Sequence, residues 1–173
     1  MAEEGPGLES GEGFAGHEIA AVLGRGGMGV VYRAKKMALD RERALKVIAP
    51  TLSNDPRFRE RFKRESRMAA AIEHPNVIPV HDAGEENGML YLAMRLVEGG
   101  DLHQAVRAEG RLGGERAAQI IGGVAAALDA AHAAGLVHRD VKPANVLIEP
   151  RNGDEHVYLT DFGITRTSSG GDT

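Results

Sequence analysis

The sequence predicts an α+β protein with two unlike halves: an antiparallel sheet carrying one helix, then a mainly helical second half. Short segments of alternating hydrophobicity, punctuated by turn residues, fill the first 95 positions. One amphipathic helix interrupts them after Asp55-Pro56, and beyond Glu98 the chain becomes alanine-rich with helical spacing.

Taken in order, residues 1–15 read as a flexible tail, since Met1 to Gly13 is rich in Glu, Gly and Ser with almost nothing apolar to bury. "HEIAAVL" from His17 is strand-like, the run "LGRGGMG" follows, and "VVYRAK" is strand-like again, which makes a hairpin around a glycine turn. In "RALKVI", Ala44, Lys46 and Ile48 share one face while Leu45 and Val47 share the other, so a lysine lies among inward residues. Asp55 is the expected cap and Pro56 the first residue of a helix ending near Ile72, before His74-Pro75. On it Phe58, Phe62, Glu65, Ala69 and Ile72 fall within about 40° of one line. Arg57, Arg59, Lys63, Arg64 and Arg67 lie mostly opposite and read as a solvated basic face. "NVIPVHDAG" and "MLYLAMRLV" are strands joined at Asn87-Gly88, which brings the expected total to five strands and one helix by Arg95. A short helix capped by Asp101, a long helix stopped at Gly135, and two short strands, "NVLIE" and "VYLTD", around Asn152-Gly153 complete the chain.

Bulk properties exclude several classes of function. Of 173 residues 42% are hydrophobic and 27% charged, and a net charge of -4 supports neither a nucleic-acid nor a membrane-surface partner. The absence of cysteine removes disulfides and thiolate metal sites and suits a reducing, cytoplasmic setting. No apolar run approaches the roughly 20 residues a membrane helix requires.

Three constellations carry chemistry. Gly24, Gly26 and Gly29 spell G-x-G-x-x-G, a pattern shared by dinucleotide sites and by ordinary turns. A dinucleotide site needs a helix immediately afterwards, whereas Val30, Val31 and Tyr32 continue as a strand. A bare hairpin turn able to lie over a triphosphate is therefore expected, with a plain glycine hairpin as the alternative. Lys46 and Glu65, both inward-facing, are each unfavourable to bury alone and are expected to pair. The pair could simply fasten helix to sheet, and the lysine could also reach bound phosphates. Finally, "LVHRDVKPANVLI" sets Asp140, Lys142 and Asn145 in one turn between helix and strand, and "LTDFGI" puts Asp161 at a strand end. Asn145 and Asp161 offer oxygen ligands of the kind Mg²⁺ prefers, although Asp-Phe-Gly by itself is also a common turn.

Together, in this order, the glycine loop, strand lysine, helix glutamate, H-R-D-x-x-x-x-N and D-F-G resemble the eukaryotic-like protein kinase family. "GRGGMGVVYRA", "HPNVIPVHD" and "HRDVKPANVLI" are most similar to bacterial serine/threonine kinases, signalling enzymes of this family. The resemblance implies a bilobal protein-kinase-like fold with an N-lobe over residues 16–95 and a partial C-lobe over 96–173. It implies that Gly24, Gly26 and Gly29 cover the phosphates of ATP while Lys46, positioned by Glu65, holds the α- and β-phosphates. Leu23, Val31 and Ala44 from above and Leu147 from below would enclose adenine. Met94 would stand as gatekeeper, and Leu96 and Val97 would supply hinge backbone bonds. Asp140 would orient and deprotonate the substrate hydroxyl, Lys142 would steady the transferred group, and Asn145 and Asp161 would bind Mg²⁺. His138, Phe162, Ala69 and Val80 match a regulatory stack, and Arg139 matches the arginine that meets a phosphorylated loop, for which Thr165, Thr167, Ser168, Ser169 and Thr173 are candidates. Arg95 occupies a hinge position often acidic in the family.

Protein serine or threonine hydroxyls are the implied substrates, with autophosphorylation and dimerisation open. Ten residues follow Gly163, without the A-P-E element, so the resemblance implies a catalytic domain truncated after D-F-G. Activity is expected of a longer parent and is left open for this chain. The alternative is a non-catalytic, pseudokinase-like ATP-binding module. A dinucleotide-dependent oxidoreductase is the third and weakest reading.

Overall fold

The computed structural model describes residues 7–162. Gly163 and the candidate hydroxyls Thr165, Thr167, Ser168, Ser169 and Thr173 lie outside them.

The strands are β1 (Gly13–Phe14), β2 (His17–Gly26), β3 (Gly29–Lys36), β4 (Arg41–Ile48), β5 (Val80–Glu86) and β6 (Met89–Arg95), in one antiparallel sheet of order β1-β2-β3-β4-β6-β5. Asn87 and Gly88, both at positive φ (51° and 78°), turn β5 into β6 as the Asn-Gly pair foretells. Alternation along β4 divides the apolar side chains between two cores. Ala44 and Ile48 join the core under the helices, and Leu45 and Val47 join Val30, Tyr32 and Ala93 on the outer face.

That outer face explains a departure from the sequence reading. Residues 1–15 were expected to form a flexible tail, yet β1 pairs Phe14 with His17, Phe14 is 2% exposed, and its ring meets Tyr91 edge to face at 5.9 Å. The Leu8 N–H donates to the Tyr32 hydroxyl at 3.2 Å. An apolar sheet face needs a cover, and one phenylalanine in a polar segment supplies it, a contribution that average composition hides.

A short helix α1 (Pro50–Ser53), not foreseen from sequence, leads to α2 (Pro56–Ala70). The Asp55 carboxylate accepts the Arg57 N–H at 2.9 Å and Pro56 opens the helix, as expected. Phe58, Phe62, Glu65 and Ala69 are buried on one face. The opposite face is not wholly solvated: Arg59 donates to the Ser53 carbonyl at 3.0 Å and pairs with Glu85.

The second half holds α3 (Leu102–Glu109), α4 (Gly114–Ala133), a 3-10 turn (Pro143–Asn145) and the hairpin β7 (Val146–Arg151) and β8 (Asp154–Leu159). Asp101 closes a reciprocal cap with Gln104 at the start of α3. Ile120, Val124, Ala127 and Ala131 form the buried stripe of α4. Three backbone bonds fasten the β7–β8 hairpin to the rest of the chain: Leu159 N–H to Asn76 O at 2.7 Å, Ile78 N–H to Leu159 O at 3.0 Å, and Ile148 N–H to Gly100 O at 3.0 Å. Among the described residues no helix is long and apolar enough to cross a membrane.

Candidate active site

The glycine hairpin forms with Gly26 paired to Gly29, and β3 follows as a strand, which excludes the helix a dinucleotide fold would place there. Its glycines differ in what they do. Gly29 has φ 142°, and a Cβ there would lie 2.0 Å from the Val47 carbonyl oxygen, so this position serves the close approach of β3 to β4. Gly24 and Gly26 have nothing within 4 Å of an added Cβ, so neither is required by close packing, and both border the space beneath the hairpin.

Two adjoining cavities occupy that space. One, of about 520 Å³, has Leu23, Val31, Ala44 and Met94 on the sheet side, Leu96 and Val97 at the connection, and Leu147 of β7 opposite. The other, of about 460 Å³, lies under residues 24–29 and is lined by Lys46, Asp140, Lys142, Asn145 and Asp161. Gly24, Val31, Ala144 and Asp161 border both, so an apolar compartment opens directly into a charged one. This is the division a purine nucleotide with its phosphates requires.

Within the charged compartment the Asp140 Oδ2 accepts from the Lys142 ammonium at 2.7 Å and from the Asn145 amide at 3.2 Å, and the Asn145 amide also donates to the Asp140 carbonyl at 2.8 Å. The amide nitrogen of Asn145 is thus engaged, which leaves its Oδ1 as an acceptor in the cavity that Asp161 also lines. Two oxygen donors in a polar cavity fit a hard divalent cation that takes few protein ligands. Arg139 and Asp161 hold φ of 63° and 60°, left-handed conformations uncommon for residues other than glycine.

The charge pairing departs from expectation. Lys46 was expected to meet Glu65, but its ammonium lies 2.7 Å from Asp161 Oδ1, and Glu65 Oε1 instead takes Arg139 at 3.2 Å and Arg64 at 3.7 Å. Glu65 is 3% exposed and its Oε2 has no hydrogen-bond partner. Both buried charges are compensated, as the sequence demanded, but by partners distant in the chain that inward-facing periodicity cannot identify.

His138 and Phe162 meet at 4.9 Å between ring centroids with their planes tilted by 57°, and Phe162, Ala69 and Val80 line one small cavity together with Met94, so the four proposed stack residues come together. The Asp140 N–H donates to His138 Nδ1 at 3.2 Å, so Nε2 carries the proton and donates to the Thr160 carbonyl at 2.8 Å. Burial lowers the imidazole pKa from its ordinary value, partly opposed by that carbonyl. Thr160, whose hydroxyl reaches the Met94 sulfur at 3.5 Å, and Arg33, which lines the apolar cavity and bonds Glu98 at 2.9 Å, were not singled out from sequence. The position of Thr160 immediately before Asp161 was the available signal for the first. Nothing local marks the second.

A family model described as protein kinase domain matches residues 17–173. The chain is 49% identical over 160 residues to serine/threonine-protein kinase PknJ of Mycobacterium tuberculosis, covering 92% of this chain and 27% of that protein. It is 47% identical over 163 residues to PknE of the same organism, covering 93% and 28%. The chain therefore spans about a quarter of the length of these curated relatives. Among solved structures, a double mutant of the M. tuberculosis PknI kinase domain superposes with a TM-score of 0.86 at 40% identity, covering 94% of this chain and 66% of that one. The unmutated PknI kinase domain gives 0.81 at 43% identity, covering 92% and 64%.

Proposed function

Because the chain belongs to the protein kinase family, we propose that it binds MgATP between sheet and helical half and transfers the γ-phosphoryl group to serine or threonine hydroxyls of proteins. Residues 16–95 would act as the N-lobe that covers the nucleotide and residues 96–173 as part of the C-lobe. The supporting observation is the Asp140 carboxylate, oriented by Lys142 and Asn145 in the cavity that also holds Lys46 and Asp161 beneath the glycine turn.

Adenine enters the apolar compartment between Ala44 and Leu147, with backbone groups of Leu96 and Val97 at its edge. The amides of Gly24 to Gly29 face the phosphates, and Lys46 turns from Asp161 to the α- and β-phosphates. Asn145 and Asp161 would hold Mg²⁺, which would supply neutralisation of the phosphate charge. Asp140 accepts the proton of the substrate hydroxyl as its oxygen bonds to the γ-phosphorus and the bond to the ADP oxygen breaks. Lys142, already beside Asp140, neutralises the group in transfer. The protein's work is placement and charge compensation. Cytoplasmic action, where ATP is available, belongs to this proposal.

One observation favours a second reading: Lys46 is committed to Asp161 and Glu65 to Arg139, an arrangement suited to a module that binds nucleotide without turning it over. One experiment separates the two. Incubated with γ-labelled ATP, Mg²⁺ and a protein acceptor, the full chain incorporates label, and Asp140→Asn lowers the rate about a hundredfold or more. Thermal stabilisation by ATP without incorporation selects the binding module. Neither stabilisation nor incorporation overturns both.

A further inference from the structure

Arg95 ends β6, where the chain leaves the sheet for the helical half. Its backbone belongs to the sheet: its N–H donates to the Pro79 carbonyl at 3.0 Å, and it pairs with Arg43 of β4. Its side chain belongs to the other half. The Nη2 donates to Glu149 Oε1 of β7 at 2.9 Å, and the guanidinium carbon stands 5.3 Å from the ring centroid of Tyr158 on β8. Glu149, whose side chain is 18% exposed, is held further by Arg151 at 3.2 Å and by the Tyr158 hydroxyl at 3.5 Å.

The consequence follows from strand periodicity. Leu147 and Glu149 are two apart on β7 and share a face, so whatever fixes the height of Glu149 fixes that of Leu147. Leu147 is the floor of the apolar cavity, and Met94, next to Arg95 and paired with Ala44, belongs to its roof. A single side chain thus links roof to floor by an ion pair and a stacking contact, a two-point hold that a planar guanidinium can make and an ammonium cannot.

We propose that Arg95 is a positioning residue for the purine end of the nucleotide: its bond to Glu149 and its seat on Tyr158 set the width of the slot between Ala44 and Leu147. The inference rests on the ATP reading above. Arg95 touches no phosphate in this role, so its loss weakens adenosine and ATP alike.

The test is calorimetric titration of the full chain with adenosine and with MgATP, alongside urea denaturation of each variant. Arg95→Met, which keeps an unbranched stem, and Glu149→Gln each weaken both ligands about threefold to fivefold at an unchanged urea midpoint. The double variant loses no more than the worse single one. Arg95→Lys, which keeps the charge but not the planar two-point hold, recovers part of the affinity. Wild-type affinity for adenosine in both single variants, or losses that add in the double, overturns the clamp. A wild-type chain that binds neither ligand overturns the ATP reading itself, and the clamp with it. If Arg95→Met fails to fold, the isosteric Glu149→Gln decides.

Discussion

Lys46 and Asp161, 115 positions apart, meet at 2.7 Å at the back of the glycine-covered cavity. The lysine side chain is 10% exposed and the aspartate 26%, so the contact lies largely out of water, where Coulomb attraction is strong. Each group is one that the proposed reaction needs elsewhere: Lys46 at phosphate, Asp161 at the cation. Nucleotide binding under this account is an exchange of partners within a fixed set of charges.

The companion pair, Glu65 with Arg139, makes a prediction about stability. Arg139→Ala leaves the buried Glu65 carboxylate, among the described residues, with Arg64 at 3.7 Å alone and lowers the unfolding free energy by about 1–3 kcal/mol, the lower part of the buried-pair range because Arg139 is half exposed. Glu65→Gln removes the charge that needed compensation and is expected to be milder. Urea denaturation of the two variants ranks them, and the opposite order contradicts the pairing.

The glycines of the hairpin separate by role. Gly29→Ala forces a Cβ to 2.0 Å from the Val47 carbonyl at a left-handed φ, and the expected loss exceeds about 3 kcal/mol. Gly26→Ala meets nothing within 4 Å, so its melting temperature is expected to hold while ATP affinity falls about tenfold. Thermal denaturation together with ATP titration reads both effects.

His138 makes stability depend on pH. Its folded pKa is lowered, chiefly by burial, so the unfolded chain binds the proton more tightly and acid favours unfolding. Its contribution is complete above the ordinary histidine range of about 6.5 and is lost as pH falls from there toward the lowered folded value. His17 and His81 are lowered in the same direction, also chiefly by burial. His138→Asn therefore removes part of the slope of urea midpoint against pH between about 7.5 and about 5, and leaves the rest. A slope unchanged by the substitution contradicts the assignment.

The N-terminal segment is a working part of the outer core. Phe14→Ala is expected to lower stability by about 2–3 kcal/mol, below the usual range for a buried phenylalanine because a terminal strand can open locally. A chemical-denaturation midpoint equal to wild type would show that the segment does not hold the sheet face.

Much of this fold was legible because its signals are local. Asp55-Pro56, Asp101, Asn87-Gly88 and the alternation along β4 each determine backbone and side-chain direction within a few residues, and each lies where it was expected. The cavity linings were expected for another reason: each motif alone also occurs in ordinary turns, but all of them together and in order resemble the protein kinase family, and that resemblance implied the residues that line the two cavities. Pairing between distant charges was not legible. Lys46 and Glu65 are both inward-facing, but which of Glu65, Asp161 and Arg139 each meets is decided by how α2 and the Arg139 turn sit in three dimensions. Phe14 was missed because a single buried ring does not alter the average of a polar segment, and the Arg95–Glu149 bond joins strands from the two halves with no motif between them.

The account stands most directly on one comparison: calorimetric affinity for ATP with and without Mg²⁺, in the wild type and in Asp161→Asn. The account predicts that Mg²⁺ tightens ATP about tenfold or more in the wild type, leaves adenosine unaffected, and loses its influence in Asp161→Asn. Wild-type ATP affinity indifferent to Mg²⁺, or a magnesium effect that survives intact in Asp161→Asn, would contradict it.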